Sequence, residues 1–269
     1  MCQAKLNDAG GLAPTKERND AWCKKTPRGA ASDCITQAVI DAHVHVTAEL
    51  LPYLQDVRCI VNADSAEEYR FLRDGGVSLI SAGIHPWKAD VTSWEELEPV
   101  LREVSVVGEI GLDNEWCSVD MDVQRLAFRR QLALAMELDK PVVLHTKGME
   151  WEILETIKEY PNRYLVHWYD CDRWLEDYIA LGCWFTVGPD VEMNGNVAAL
   201  AKTVPLEKLL IESDGVEGIA WGQNCALQPK DYPMAMEQHL AAVAKLREMA
   251  SDDLLQQMER NLDKFIFGK

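Results

Sequence analysis

The chain has 269 residues, of which 48% are hydrophobic, and its formal net charge is −17. This length suits one large domain or two small ones, and a single α/β barrel fits comfortably. The acidic excess opposes non-specific binding to nucleic acid, and no apolar stretch approaches the roughly 20 residues of a membrane span, so no membrane partner is predicted.

The N-terminal 35 residues differ in composition from the rest of the chain. They hold six basic and four acidic residues, a local charge of +2, and show no sustained apolar periodicity. We therefore predict a flexible extension at 1–35 followed by one barrel domain at 36–269, with a metal-binding or basic arm as the alternative for the extension. The extension lacks the apolar region of a secretory signal, and the eight cysteines form no C-x-x-C pair. Both features predict a cytoplasmic protein with reduced thiols.

From residue 37, short apolar runs alternate with longer helical patterns. The runs that predict strands are 37–44, 58–62, 78–83, 104–110, 141–145, 163–167, 182–187 and 208–213. Strands that are apolar on both faces and separated by helices are typical of a parallel sheet. Eight such strands close a (βα)8 TIM barrel, which is the predicted fold, and an open doubly wound sheet is the alternative.

Helical patterns fill the intervals between these strands. The predicted helices are 65–74, 94–102, 121–138, 149–159, 171–180 and 194–203, followed by two near 232–249 and 251–265. The first begins with Ser65 and Glu68, a capping-box pattern, and the glycine pair at 75–76 ends it. The stripe expected to face the core in the third helix comprises Leu126, Leu132, Ala133 and Met136.

Five of the strands carry ionisable residues at or beside their C-terminal ends. These residues are His43 and His45 on the first strand, Glu109 on the fourth, His145 on the fifth, His167 on the sixth and Asp214 after the eighth. In a closed barrel the first and eighth strands are neighbours, and the active site lies at the C-terminal end of the barrel. Four histidines and two carboxylates on one rim predict a site for divalent cations such as zinc, manganese or nickel.

The motifs around these residues follow one another in a distinctive order. They are His-x-His at 43–45, GIHPW, VGEIGLD, QRLAFRRQLALAMELDKPVVLHT, HWY, LLIESDG and NLDKFIFG, and they cover about residues 37–268. This order resembles that of the TatD family of metal-dependent deoxyribonucleases, within the amidohydrolase-type barrels. The resemblance implies two divalent ions of Zn, Mn, Mg or Ni. It implies one ion on His43, His45, Glu109 and Asp214, and a second on Glu109, His145 and His167, with Glu109 as the bridge.

A two-metal site would activate water and stabilise charge on the substrate. Two cations about 3.5–4 Å apart lower the pKa of a bridging water and neutralise charge on a phosphoryl or carbonyl oxygen. Asp214 is the predicted general base, because it ends the strand beside the His-x-His pair and can accept the proton of this water. Glu109 is the second predicted catalytic residue. Two carboxylates and four neutral imidazoles leave the two cations a net positive charge, which favours an anionic substrate.

Three segments beside the predicted site depart from the pattern of that family. Lys147 stands where an arginine is common, and it lacks the bidentate geometry that suits phosphate. The bulky, acidic WYDCDRW replaces a pattern of small residues and glycine after His167, and GVEGIAWGQN replaces a proline–tyrosine pair after Asp214. The departures lie in the loops that would face the substrate, whereas the metal ligands match.

Further polar and aromatic residues near the strand ends are candidates for substrate contact or for support of the ligands. The candidates are His85, Lys147, Asp113 and Trp168. The alternative roles are loop stabilisation for His85, turn stabilisation for Asp113 and loop packing for Trp168. Asp41 and Glu212 lie two residues from predicted ligands and are expected to orient them or to form a polar layer. The other tryptophans in strand-end loops, which would stack on a flat group or pack the rim, are Trp87, Trp116 and Trp221.

These residues predict a binuclear metal-dependent hydrolase of phosphodiester or phosphate-ester bonds, similar to the TatD nucleases. The expected substrate is a small phosphate-containing molecule or the end of a single-stranded DNA, because the acidic YDCD segment repels flanking phosphates. One alternative is a hydrolase of small-molecule esters, lactones or amides. The non-enzymatic alternative is a metal-binding interaction protein.

Overall fold

Eight parallel strands form the centre of the computed structural model, which describes residues 39–268. The strands are β1 (Ile40–Val44), β2 (Arg58–Ala63), β3 (Ile80–Ala82), β4 (Val106–Asp113), β5 (Val142–Lys147), β6 (Tyr164–Val166), β7 (Trp184–Val187) and β8 (Leu209–Ile211). Each strand pairs in parallel with the next along the chain, and β8 lies beside β1. The sheet is therefore a nearly closed barrel, which confirms the predicted fold. The predicted extension at 1–35 lies outside the described residues.

Helices alternate with the strands and cover the outside of the barrel. Within residues 39–268 the α-helices are α1 (Ala66–Asp74), α2 (Trp94–Glu103), α3 (Met121–Glu137), α4 (Glu150–Ile157), α5 (Leu175–Ala180), α6 (Gly195–Thr203), α7 (Gly215–Gly222), α8 (Tyr232–Leu246) and α9 (Ser251–Phe267). Short 3₁₀ helices occur at Leu51–Leu54, Pro86–Lys88, Leu206–Lys208 and Pro229–Asp231. Among these helices none has both the length and the apolar character needed to cross a membrane.

The local sequence explains where α1 begins and ends. The Ser65 hydroxyl accepts a hydrogen bond from the Glu68 backbone N–H (3.1 Å), and the Glu68 carboxylate accepts one from the Asp64 N–H (2.9 Å). The first bond satisfies an amide group that the first turn of a helix leaves without a partner, and the second ties the residue before the N-cap to the same turn. The helix ends at Asp74, immediately before the glycine pair, as the sequence predicts.

The inward face of α3 differs from the predicted stripe. Leu132 is buried, but the other three members of the stripe are exposed, namely Leu126, Ala133 and Met136. The face that packs on the barrel instead contains Gln124, Phe128, Gln131 and Ala135. Two of these residues are polar, so an apolar pattern could not reveal this face. Gln131, for example, exchanges hydrogen bonds with the backbone N–H and C=O of Ile84.

A buried carboxylate joins the first strand to the end of the last. Asp41 in β1 accepts hydrogen bonds from the Ser213 N–H (3.0 Å), the Ser213 hydroxyl (2.5 Å) and the Tyr232 hydroxyl (2.7 Å). Burial raises the pKa of Asp41 to about 7, although these hydrogen bonds act against the rise. The Asp214 N–H also donates to the His43 carbonyl (3.1 Å). Asp41 therefore belongs to a polar layer that brings the two ends of the sheet together.

Helix α7 was absent from the sequence-based expectation, because three glycines in eight residues are typical of a loop. Its first residue, Gly215, has φ = 84° and lies so close to β1 that a Cβ would sit 2.6 Å from the His45 carbonyl oxygen. Only glycine fits both conditions. The predicted helix at 171–180 begins later, at Leu175, because the residues after His167 form part of the rim.

Candidate metal centre

Five imidazoles surround the buried carboxylate of Glu109 at the C-terminal end of the barrel. Their nearest nitrogens are His43 Nε2 and His45 Nε2, each 3.3 Å from Glu109 Oε2, and His145 Nδ1 (2.6 Å), His167 Nε2 (2.7 Å) and His85 Nε2 (3.4 Å) from Oε1. Oε2 thus faces the two histidines at the end of β1. Oε1 faces one histidine from each of the other three strand ends, after β3, in β5 and after β6. Glu109 stands between two sets of nitrogen donors.

Asp214 lies on the β1 side of this cluster. Its Oδ1 is 3.4 Å from His43 Nε2 and 3.6 Å from His45 Nε2. Asp214 has φ = 56°, so the chain turns sharply at this residue before α7. The side chains of His45 and Asp214 are 34% and 27% exposed, whereas Glu109 is only 3% exposed. The cluster therefore opens to solvent at His45 and Asp214.

The structure brings all six predicted ligands into one cluster and adds His85 to it. Three groups of side chains have potential ligand atoms within 4.8 Å of one another: His43, His45 and Glu109; His43, His167 and Asp214; and His85, Glu109 and His145. The sequence placed His85 among residues for substrate or support. Its Nδ1 accepts a hydrogen bond from the Trp87 N–H (3.1 Å), which leaves Nε2 as the donor of a neutral ring, facing Glu109.

The donor set fits a divalent cation. His43 Nε2 and Asp214 Oδ1 are both buried, point toward each other and make no hydrogen bond within residues 39–268. Buried polar atoms are nearly always hydrogen-bonded, so unsatisfied atoms of this kind mark a place for another partner. Imidazole nitrogens combined with carboxylate oxygens suit zinc, manganese or nickel.

The charges of the cluster support the same interpretation. Burial disfavours protonation, but the neighbouring carboxylates outweigh it and raise the pKa of His43, His45 and His167 to about 10. Burial alone would raise the pKa of Glu109, but His167, His85 and His145 hold it well below its usual range. Burial also opposes the charge of Asp214, whose pKa is lowered by His43, His45 and His167. Positive charge is therefore favourable in this cavity, and a bound cation would supply it.

Asp113 fixes the ring of His145. The Asp113 carboxylate lies 3.0 Å from His145 Nε2 and accepts hydrogen bonds from the Trp87 indole (2.6 Å) and from the backbone N–H groups of Glu115 and Trp116. Burial alone would raise its pKa, but His145 and these donors lower the pKa to about 2. A carboxylate on one imidazole nitrogen directs the other nitrogen toward a metal. Asp113 thus orders the turn after β4 and orients His145.

Glu212 occupies the equivalent position behind His167. It is fully buried, and its Oε1 lies 3.5 Å from His167 Nδ1. Asp41, by contrast, contacts backbone and hydroxyl groups and no imidazole. His239, whose Nε2 lies 2.9 Å from the Val187 carbonyl, packs in α8 outside the cluster.

Asn62, which no sequence motif marks as a site residue, holds Glu109 in place. Asn62 in β2 accepts hydrogen bonds from the Glu109 N–H (2.8 Å) and the Ser81 hydroxyl (3.0 Å). Its amide donates to Asp64 (2.7 Å), which in turn accepts from Lys88 Nζ (2.7 Å). An asparagine inside the apolar run CIVNA was the available signal, since a buried amide needs partners for its hydrogen bonds.

Lys147 is paired at the rim of the opening. Its Nζ donates to the Asp170 carboxylate (2.8 Å) and to the Trp168 carbonyl (3.2 Å). Trp168 itself is only 6% exposed, and its indole donates to Asp190 (2.9 Å). The ring lies on Gly188, where a Cβ would come within 2.4 Å of it. Trp168 is therefore a packed part of the rim.

Two other tryptophans of the strand-end segments are open to solvent. Trp221 in α7 is 60% exposed, and its ring centroid lies 5.6 Å from that of Trp168. Trp116, after β4, is 62% exposed. The packed Trp168 thus supports an exposed aromatic ring on α7, the helix that follows Asp214.

The whole barrel matches one protein family. The profile of the family described as TatD related DNase matches residues 40–267. The chain belongs to this family.

Curated relatives of this TatD-family chain include hydrolases and nucleases. A 3'-5' ssDNA/RNA exonuclease TatD of Edwardsiella piscicida is 32% identical over 148 residues, 50% of this chain and 56% of that protein. An uncharacterized metal-dependent hydrolase, YabD, of Bacillus subtilis is 27% identical over 165 residues, 55% of this chain and 60% of its own. Another such hydrolase, from Methanocaldococcus jannaschii, is 27% identical over 195 residues, 69% of this chain and 74% of that one. The aligned part thus spans less than two thirds of the first two relatives.

Solved structures show the same fold. YJJV, a TatD homologue from Escherichia coli, superposes with a TM-score of 0.72 at 23% identity, over 87% of this chain and all of that chain. A TatD-family hydrolase from Entamoeba histolytica gives a TM-score of 0.71 at 16% identity, over 87% of this chain and 99% of that one.

Proposed function

We propose that this TatD-family chain is a binuclear hydrolase of phosphodiester or phosphate-ester bonds, acting on small molecules or on the ends of short single strands. The observation that carries the proposal is the position of Glu109, whose two carboxylate oxygens face two different sets of histidines. Relatives named as single-strand DNA and RNA exonucleases support the choice of a phosphodiester.

Each oxygen of Glu109 defines one proposed ion site. On the Oε2 side, the ligands are His43, His45, Glu109 and Asp214. On the Oε1 side, they are Glu109, His145 and His167. Divalent ions of Zn, Mn, Mg or Ni at these positions would supply Lewis acidity and lower the pKa of water. Because Glu109 would contribute to both ion sites, the variant Glu109→Gln should lose most of its metal.

Asp214 is the proposed general base. Its carboxylate borders the opening and has a lowered pKa, so it is ionised and reaches solvent and substrate from the same side. A carboxylate in this position accepts a proton from the attacking water and holds it while the ester bond breaks. Asp214 and His45 are the partly exposed members of the cluster, which places the attack at this side of the cavity.

His85 is proposed to contact the substrate. Burial lowers the pKa of its imidazole, although the nearby Glu109 carboxylate acts in the opposite direction. The ring is therefore neutral and carries its proton on Nε2, which points into the cluster. A neutral donor in this position can hydrogen-bond a phosphoryl oxygen without adding positive charge.

A hydrolysis screen with controlled metal content tests this function. The protein is stripped of metal, reloaded with Zn²⁺, Mn²⁺, Mg²⁺ or Ni²⁺ singly, and assayed on bis(4-nitrophenyl) phosphate, a dinucleotide, 4-nitrophenyl acetate and a lactone. The proposal predicts metal-dependent cleavage of the two phosphodiesters and loss of that cleavage in Glu109→Gln. Cleavage of the acetate or the lactone alone would favour the small-molecule ester or lactone hydrolase instead.

A further inference from the structure

The end of β5 carries a cation beside the metal ligands. Lys147 lies two residues after His145, so both side chains leave the strand on the same face. The Lys147 side chain is 15% exposed and stands at the last residue of β5, at the end of the barrel that holds the cluster. An ammonium in such a position would ordinarily attract a phosphate next to the one being cleaved.

The rim holds this ammonium with two acceptors. Lys147 Nζ donates to Asp170 Oδ1 (2.8 Å) and to the Trp168 carbonyl (3.2 Å), which uses two of its three protons. Asp170 is itself held in place, because the Asn196 amide donates to its backbone carbonyl (2.8 Å). Trp168 is fixed by its packing on Gly188 and its hydrogen bond to Asp190. Both acceptors therefore belong to an ordered part of the loop.

The surroundings of the pair are acidic. Burial raises the pKa of Glu115, the charges of Glu150 and Asp170 add to the rise, and the Lys147 ammonium acts against it. Burial likewise raises the pKa of Asp190, with Asp170 again contributing. A positive charge paired at 2.8 Å and surrounded by carboxylates offers little net attraction to a further anion.

We propose that Asp170 is a specificity-determining residue that withholds Lys147 from the substrate. A phosphate flanking the scissile ester then meets a neutral ion pair and nearby carboxylates, so that substrates with a single phosphate group are favoured over longer strands. The inference rests on the proposed phosphodiester hydrolysis and adds to it a residue that sets substrate length.

Asp172 provides a matched control in the same loop. Its side chain is 74% exposed, and Oδ1 lies 3.7 Å from Arg173 Nε. Asp170→Ala and Asp172→Ala each change the formal net charge from −17 to −16, so they alter long-range attraction equally. Only Asp170→Ala removes the carboxylate that binds Lys147. Asp170→Asn, which keeps the shape and a weaker acceptor, is the second variant and guards against a folding defect.

The experiment compares kcat/KM for a single-stranded tetranucleotide with kcat/KM for bis(4-nitrophenyl) phosphate in the metal-loaded variants. We expect Asp170→Ala to raise this ratio about fivefold, the effect of one modest charge-assisted contact, and Asp170→Asn to raise it less. The slope of log kcat/KM against log salt for the tetranucleotide should steepen by about 0.7, as one added phosphate contact on a single strand requires. Asp172→Ala should change neither quantity.

The double variant Asp170→Ala/Lys147→Met identifies the cation responsible, because the gain should disappear when the ammonium is removed. The inference would be overturned if Asp170→Ala and Asp172→Ala gave the same ratio of kcat/KM values, or if the gain persisted in the double variant. In either case, phosphodiester cleavage by the wild type would still support the proposed function. If the wild type cleaves neither phosphodiester, the proposed function fails and the inference falls with it. The two failures are thus distinguishable.

Discussion

The ligand cluster and the rim around it are made by different parts of the chain. The cluster consists of side chains in or next to strands, buried around Glu109 and supported by carboxylates such as Asp113. The rim consists of loops and the short helix α7, and it exposes residues such as Trp221 and Asp172. Because packing constrains the buried residues of the cluster more than the exposed positions of the rim, substrate preference can change through the rim while the hydrolytic chemistry is kept.

The largest effect on activity is expected from Asp214→Asn. Asp214 lies where the cluster meets the rim. The substitution keeps the shape and an oxygen ligand but removes the base, so turnover should fall by about 10²–10⁴-fold. Steady-state kinetics and metal content, measured on the same sample, check this expectation. Near-normal turnover with full metal occupancy would refute the role of Asp214.

Asp113 and Asp190 form a matched pair across the two regions, since each carboxylate accepts a hydrogen bond from a tryptophan indole. Asp113→Asn should lower metal affinity or activity by about 10–100-fold, because the His145 ring loses its orienting partner. Asp190→Asn should alter the rim and leave metal affinity unchanged. Competition with a chelator measures the metal affinity of both variants. An equal loss of affinity in the two would show that the cluster and the rim contribute to metal binding alike.

Trp221→Ala tests the rim alone. If its exposed ring stacks on a base, its loss should raise KM for a dinucleotide roughly fivefold, which corresponds to about 1 kcal/mol of stacking. The value of kcat and the metal content should stay unchanged. Phe71 in α1, also partly exposed, is the control for loss of an aromatic ring. An equal change of KM in Phe71→Ala would exclude a specific role for Trp221.

The smallest effect is expected from deletion of residues 1–35. Their composition lacks a core-forming pattern, so the melting temperature and the metal content should stay nearly the same. Differential scanning calorimetry of the full chain and the truncated chain makes the comparison. A large fall in melting temperature would show that the segment packs on the barrel.

The sequence predicted the barrel well because its strands are continuous apolar runs separated by helices. The positions of the potential ligands followed from the topology, since parallel strands place their C-terminal ends at one rim. His43 and Asp214, 171 residues apart, thus lie 3.4 Å from each other.

The sequence did not predict features that depend on tertiary contacts. Asn62 carries no motif, and its importance arises from its hydrogen bond to the Glu109 backbone. Helix α7 contains glycines that are unfavourable for a helix. They are needed because the helix packs too closely against His45 and Asp214 for larger residues to fit. The pairing of Lys147 with Asp170 joins the end of β5 to the loop after β6, and no local pattern indicates it.

Anomalous diffraction from crystals of the manganese-loaded protein tests the central claim most directly. Two peaks are predicted about 3.5–4 Å apart, one beside each carboxylate oxygen of Glu109. The first should be bound by His43, His45 and Asp214, and the second by His145 and His167. A single peak, or peaks that do not share Glu109, would contradict a binuclear site bridged by this residue.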